Sequence, residues 1–440
     1  MDLSFIIWNG SPDIFSIGPF TLRWYGLLFA SGFLITQQIL YYMFKKEGKP
    51  EKDVETLTIY MVVATILGAR LGHITFYEPS LFWTDPLGVF LPFQFSPEFK
   101  FTGLMGLASH GAAIGILFGL WLYSRKRKPN QNYLQTLDRI VILVALTGAL
   151  IRMGNYFNAE ILGKPTDSAF GVVFINGLTT YIKDSGEQPD GTHITEKIFV
   201  KKNGDAQVQT DGRVPISVYV LFKPGVSEAD ARAFADNKVK RALYTFSTAE
   251  LPAVDAYRAS EPVTNLVVDE KTNQAMARID TLGITRHPAQ LYEAISCVLL
   301  FLLLLFIWMK YKANLPEGRI FGYFMIILWS LRFLYEFLKE PQEDFETTLP
   351  LFMGQILSIP LVIIGIYFLI RSYRNLNPLA LDKFIVAAAM LALVASGVMV
   401  WKPTWYWPMT YFMFLPAIAL MLYAIIRLTF MKKVAADPQP

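Results

Sequence analysis

The chain has 440 residues, of which 53% are hydrophobic, and its mean hydropathy is +0.36. Soluble domains are roughly 45–50% apolar, so an ordinary soluble globular protein is excluded. The net charge of +4 is carried by loops between apolar runs, which speaks for membrane orientation and against a nucleic-acid-binding surface.

The N-terminal stretch MDLSFIIWNGSPD has no basic n-region and is expected not to be a cleavable signal. Apolar runs of membrane-spanning length follow at about 20–42, 56–77, 106–124, 135–153, 290–309, 319–338, 351–370, 383–401 and 409–427. Every second loop is basic: Lys45, Lys46, Lys49 and Lys52; Arg125, Lys126, Arg127 and Lys128; Lys310, Lys312 and Arg319; Arg371, Arg374 and Lys383; Lys432 and Lys433. Basic loops stay cytoplasmic. The N-terminus and the long segment 154–289 are therefore expected outside, and the C-terminus inside. Residues 80–101, rich in Phe and Pro, are too broken to span and are expected in the outer interface, where aromatic rings are favoured.

Between about 174 and 283 the composition turns soluble, with turn signals KNGD (202–205) and TDGR (210–213). Strands are expected at 196–202, 214–222 and 263–269, with another near 275–281. A helix is expected over 227–243, opened by a Ser cap. Two further spans, joined by WKPTWYWP (401–408), close the chain and read as an accessory hairpin. The fold class is an all-α polytopic membrane protein of about nine helices with an inserted outer α+β module. Its parts are 1–173, 174–283, 284–371 and 372–440. Cys297, the single cysteine, lies in CVLLFLLLLF and reads as packing.

Charges inside these runs are the strongest functional signal. An arginine at mid-bilayer costs about 2.5–3.5 kcal/mol, less toward the interface, and such residues mark sites. Arg152 ends one run and opens R-M-G-N-Y-F-N-A-E (152–160). Arg332 and Glu336 share a helix face at a spacing of four, where they can pair. Arg70, His73 and Tyr77 share a face of the second run. Gln290 and Glu293 share the outer start of the fifth. His110 opens the third run in G-L-A-S-H-G-A, and Tyr25 opens the first in L-R-W-Y-G-L-L. The loop charges put nearly all of these in the outer half of the bilayer. Structural alternatives stand beside each: an ion pair fixing helix packing for Arg332 and Glu336, an interhelical hydrogen bond for His110, snorkelling for Arg70, and helix-end satisfaction for Asn155 and Asn158. Guanidinium forks match phosphate oxygens, and a histidine can move a proton near neutral pH. A site that holds a phospholipid headgroup and reacts at its glycerol fits this set.

These motifs resemble the prolipoprotein diacylglyceryl transferase family. The signature resembling G-R-I-G-N-F-x-N-x-E-x-x-G reads here A-L-I-R-M-G-N-Y-F-N-A-E-I-L-G and supplies Arg152, Gly154, Asn155, Asn158, Glu160 and Gly163. R-W-Y-G-L (23–27), G-A-R-L-G-H (68–73), S-H-G (109–111), R-H-P-A-Q-L-Y-E (286–293), L-R-F-L-Y-E-F-L-K-E-P (331–341) and M-G-Q-I-L-S (353–358) follow the family's order. Three features depart from it. Gly111-Ala112 replaces a glycine pair, the signature's leading glycine is Leu150 or Ile151 by position, and Asn176 to about Gly283 intervene before R-H-P.

The resemblance implies a seven-helix core in the bacterial inner membrane. It implies transfer of an sn-1,2-diacylglyceryl group from phosphatidylglycerol to the thiol of the lipobox cysteine of a preprolipoprotein, with release of glycerol phosphate. Arg152 and Arg332 would neutralise the phosphate, and His110 would be the candidate base. Tyr25, Arg70, Asn155, Asn158, Glu160, Gly163, Gln290 and Glu293 would form the substrate site, and Glu336 would position an arginine. No metal, cofactor or nucleic-acid partner is expected. Two rivals remain open on the sequence: a flippase moving an anionic lipid, which lacks an evident inverted repeat here, and a scaffold whose outer module binds envelope proteins.

Overall fold

The computed structural model describes residues 5–17, 20–89, 93–94, 100–101, 108–189, 191–204, 209–249, 251–258, 264–269, 272, 274–341 and 351–374. The eighth and ninth spans expected from the sequence lie outside the described residues. In chain order the elements are β1 (Ile6–Trp8), β2 (Asp13–Ile17), β3 (Phe20–Arg23), α1 (Trp24–Lys46), α2 (Lys52–Tyr77), α3 (Leu81–Thr84), β4 (Phe93–Gln94), β5 (Lys100–Phe101), α4 (Ser109–Ser124) and α5 (Tyr133–Asn158). Next come β6 (Val172–Phe174), α6 (Asn176–Asp184), β7 (Thr195–Lys202), β8 (Arg213–Phe222), α7 (Glu228–Phe234), α8 (Lys240–Ser247), β9 (Thr264–Asp269) and β10 (Gln274–Arg286). The last are α9 (Ala289–Tyr311), α10 (Arg319–Tyr335) and α11 (Met353–Arg374).

Among the described residues, six helices are long and apolar enough to cross a bilayer: Trp24–Lys46, Lys52–Thr75, Tyr133–Asn158, Ala289–Asn314, Arg319–Leu338 and Gly354–Arg374. The apolar part of α4, Gly111–Ser124, is shorter. The chain is a polytopic membrane protein. Two expected boundaries change. The first span begins at Trp24, because residues 20–23 pair with β2 as a hairpin. The fourth runs on to Asn158, so the signature's first residues stand on helix rather than loop.

The chain divides into two compact units. One comprises Phe29–Leu150, Glu293–Phe337 and the chain from Pro341 on. Its core gathers Leu40, Phe44, Leu57, Ile142, Leu304, Trp308 and Phe368. At the end carrying the basic loops, the buried Glu47 carboxylate accepts from Arg139 at 2.9 Å, Lys49 at 2.6 Å and the Trp308 indole at 2.6 Å. Multiple donors offset the desolvation such a buried anion suffers. The fully buried Asp138 accepts from the backbone N–H groups of Gly318 and Phe321, serving the open N-terminus of α10.

The other unit comprises Met1–Leu28, Ile151–Tyr292 and Leu338–Glu340. Its sheet has the order β1-β6-β10-β8-β7, with β9 also paired to β10. β1 and β6 are parallel, and the other pairs are antiparallel. Alternation decides its faces. Val214, Ile216, Val218, Val220 and Phe222 of β8, with Ala275, Ala277 and Ile279 of β10, point into one core. Leu178 and Ile182 of α6 and Ala231, Phe234, Ala242 and Leu243 of α7 and α8 cover that face. The Ser227 hydroxyl accepts from the Asp230 N–H at 3.1 Å, as an N-cap should. α7 and α8 run on through a π-turn at Ala235–Val239.

Candidate active site

The end of α5 carries a hydrogen-bonded polar cluster. Arg152 Nη1 lies 3.4 Å from Asn155 Oδ1. Asn155 Nδ2 donates to one Glu160 carboxylate oxygen at 3.0 Å, and Asn158 Nδ2 donates to the other at 2.9 Å. The Glu160 N–H closes back on the Asn155 carbonyl at 3.0 Å, and Gln290 donates to the Glu160 carbonyl. A helix offers residues three apart on one face, so Arg152, Asn155 and Asn158 line up toward the turn that carries Glu160. That turn is strained. Ala159 and Ile161, on either side of Glu160, have φ of 53° and 58°. Non-glycine residues in this region cost roughly 1–2 kcal/mol each, and such strain collects at functional sites.

Tyr25, at the start of α1, packs against Gly154 in the middle of the signature. Trp24 stacks on Phe157 at 4.8 Å. Beyond Glu160 the chain reaches Gly163, whose N–H donates to the His287 carbonyl at 3.1 Å. A Cβ on Gly163 would stand 2.4 Å from that carbonyl oxygen, so only glycine fits. Arg286 anchors the same turn: its Nη1 donates to the Gly163 carbonyl at 3.1 Å and pairs with Glu340 at 3.0 Å.

The other unit holds the remaining candidates. Arg332 Nη2 lies 3.7 Å from Glu336 Oε1. Glu336 is buried, and Gly354 leaves room for its carboxylate. Arg70 donates to the carbonyls of Val89 at 3.2 Å and Gly88 at 2.9 Å, which ties α2 to the segment after α3. Glu293 is buried near the start of α9. His110 stands in the first turn of α4. The structure thus joins Arg152, Asn155, Asn158, Glu160 and Gln290 in one hydrogen-bonded group, with Tyr25 and Gly163 packed beside it. Within the other unit, Arg332 and Glu336 pair with each other.

Sequence reasoning missed three residues here. Trp8 of β1 lies 4.3 Å from the Tyr156 ring. Its Nε1, together with Asn158 Oδ1 and Gln290 Oε1, is buried without a hydrogen-bond partner among the described residues. Orphan polar atoms are rare in native interiors, and three of them near one turn mark a place built to meet a polar group. His287, a motif residue with no assigned role, donates its N–H to the Lys164 carbonyl at 3.1 Å. Burial lowers its imidazole pKa, and the Asp167 charge works the other way. Thr285 gave no sequence signal, since a lone threonine between the strand expected near 275–281 and R-H-P carries no chemistry of its own.

Comparison with known proteins gives the family. The family model described as prolipoprotein diacylglyceryl transferase matches residues 12–371. A phosphatidylglycerol–prolipoprotein diacylglyceryl transferase of Bacteroides fragilis is 31% identical over 366 residues, covering 83% of this chain and 94% of the relative. One from Chloroherpeton thalassium is 31% identical over 372 residues, with 84% and 96% covered. One from Tolumonas auensis is 28% identical over 370 residues, with 84% and 98% covered. With its signature cluster in place and the match running over most of its length, the chain belongs to the prolipoprotein diacylglyceryl transferase family.

Proposed function

We propose that this chain moves the sn-1,2-diacylglyceryl group of phosphatidylglycerol onto the thiol of a lipobox cysteine in a preprolipoprotein. A thioether forms and glycerol phosphate leaves. The observation that carries the reading is the Arg152–Asn155–Glu160–Asn158 cluster, held on a strained turn in a chain that matches this family over residues 12–371. The thiolate attacks a glycerol carbon while charge develops on the departing phosphate oxygen. A preorganised guanidinium stabilises that charge without reorganising. Arg152 is assigned this role, and Arg332, steadied by Glu336, is assigned the same chemistry. His110 is the proposed base. Tyr25, Arg70, Asn155, Asn158, Glu160, Gly163, Gln290 and Glu293 are assigned to the substrates.

The finer architecture belongs to the same reading. Seven helices form the family core, residues 174–283 are an insertion on the periplasmic side, and residues 372–440 add a hairpin to make nine spans. The protein sits in the bacterial inner membrane with its N-terminus periplasmic and its C-terminus cytoplasmic. The alternating basic loops support this orientation.

The test is transfer to a lipobox peptide from phosphatidylglycerol, read by mass spectrometry. The parent adds one diacylglyceryl mass, and a peptide with Cys→Ser adds none. Arg152→Lys keeps the charge and loses the fork. Its turnover is expected to fall on the order of 10²-fold with the protein still in the membrane. Near-normal turnover of that variant removes the phosphate-binding role.

A further inference from the structure

Thr285 sits where three segments of the sheet-bearing unit meet. It is fully buried. Its N–H donates to the Gly212 carbonyl at 2.8 Å, and its carbonyl accepts from the Thr166 N–H at 3.0 Å. Its hydroxyl lies within hydrogen-bond reach of both the Thr166 and Gly212 carbonyls, so one proton serves two buried acceptors. Val173 of β6 pairs with it in the sheet. Gly212 has φ +79°, and a Cβ there would stand 3.0 Å from both the Thr166 nitrogen and the Thr285 oxygen. The turn Gln209–Arg213 is therefore wedged against the stretch that follows Gly163. It is itself closed by Gln209 N–H to Arg213 O and Gly212 N–H to Gln209 O, each at 2.8 Å.

The neighbours of Thr285 extend this clasp toward the signature. Pro165 and Arg286 are bridge partners, the His287 N–H donates to the Lys164 carbonyl, and the Gly163 N–H donates to the His287 carbonyl. Three residues beyond His287, Gln290 reaches the Glu160 carbonyl. From Gln274 to Arg286 the chain is one strand paired with β8 and β9. The segment between the two halves of the family motif set is thus tied by hydrogen bonds to the loop that shapes Glu160.

We propose that Thr285 is a positioning residue, through which the 209–213 turn and β10 hold the Glu160–Thr166 loop in its working shape. The soluble segment is then a brace for lipid binding as well as an appendage. The inference rests on the reading of that loop as part of the phosphatidylglycerol site. Thr285→Val removes the shared proton at nearly constant volume, leaving two buried carbonyls one donor short. Thr285→Ser keeps the hydroxyl. Ser217→Ala is the matched control. Ser217 is also fully buried, on the neighbouring strand β8, and donates to Asp280 at 2.6 Å.

The experiment measures initial rates of diacylglyceryl transfer for full-length parent, Thr285→Val, Thr285→Ser, Ser217→Ala and Arg152→Lys, varying phosphatidylglycerol and peptide separately. Thr285→Val is expected to lose about tenfold in kcat/KM for phosphatidylglycerol, a size typical of displaced second-layer contacts. Its KM for peptide should be unchanged, and Thr285→Ser and Ser217→Ala should stay within about twofold of the parent on the same scale. If Ser217→Ala falls as far as Thr285→Val, or if the peptide KM moves with the lipid KM, the effect is general loss of structure and the proposal is overturned. An inactive Arg152→Lys beside a fully active Thr285→Val also overturns it and leaves the site reading intact. A fully active Arg152→Lys overturns both.

Discussion

Gly163 shows how much one missing side chain decides. The His287 carbonyl occupies the space a Cβ would need, at 2.4 Å, and the Leu338 carbonyl stands 3.0 Å away. Both neighbours are backbone and cannot swing aside. Gly163→Ala is therefore expected to push the loop off Arg286 and His287. It should lower stability by about 1–3 kcal/mol, as overpacking does, and lower transfer activity at least tenfold through misplacement of reacting groups. Gly26→Ala, where nothing lies within 4 Å, should leave both unchanged. Equal activities in the two variants would sink the argument. His287 adds a pH dependence. Burial holds its folded pKa below the ordinary 6.5, against the pull of Asp167. The folded state then binds fewer protons than the unfolded one. Its share of stability is complete above about pH 6.5 and is lost as pH falls toward the folded value. Melting midpoints measured between pH 8 and 5 should fall less steeply for His287→Gln than for the parent. A parallel pair of curves would show that His287 does not titrate as described. At this scale the sequence was legible where chemistry conflicts with surroundings: Arg152, Asn155 and Glu160 stand out because polar groups are costly beside apolar runs. Thr285 and Trp8 were not, because a threonine in a strand and a tryptophan near a membrane conflict with nothing.

Among the elements, α2 and α4 make the closest backbone approach. A Cβ on Gly68 would stand 2.4 Å from the Gly111 carbonyl, and one on Gly115 would stand 2.1 Å from the Ala64 carbonyl. Small residues every fourth position let helices in lipid pack backbone to backbone, where dispersion and weak hydrogen bonds replace the absent hydrophobic drive. Gly115→Leu is expected to separate the pair and reduce the yield of folded protein in detergent. Gly148→Ala, whose nearest neighbour is Cys297 Sγ at 3.7 Å, should melt as the parent does. A parent-like melt for Gly115→Leu would mean that this seam is not a constraint. Long apolar elements could be read from the sequence because length and composition alone identify them. The short ones could not. β1 and β6 have three residues each, too few for alternation to register, and they exist because pairing with β10 and its neighbours satisfies their backbone. β10 was expected only near 275–281. Its pairing carries on to Arg286. Polarity puts the expected end of the fourth span at about residue 153, while the hydrogen-bonded helix continues to Asn158 because its polar residues find partners in one another and in Glu160.

For the whole molecule, charge argues which side of the bilayer each loop faces. Basic residues follow α1, α4 and α11, and α9 also ends on Lys310. Translocating each such cluster against the membrane potential would cost roughly 2.3 kcal/mol per charge per 100 mV, which favours the proposed orientation with these clusters cytoplasmic. In the proposed orientation the strand-rich segment between α5 and α9 lies outside, because α5 begins beside the Arg125–Lys128 cluster and crosses before that segment starts. The chain makes this unusually simple to test. Its single native cysteine is buried, so an introduced cysteine reports without background. Lys223 and Lys126 are both exposed. In spheroplasts, a membrane-impermeant maleimide should label Lys223→Cys at once and should label Lys126→Cys only after the membrane is permeabilised. The reverse pattern would invert the protein and remove the outer-leaflet lipid site with it. Immediate labelling of both would mean that the basic clusters do not set orientation here. The expected pattern would place the signature end of α5 on the outer side, where a secreted cysteine thiol and a phospholipid headgroup can meet at the same depth.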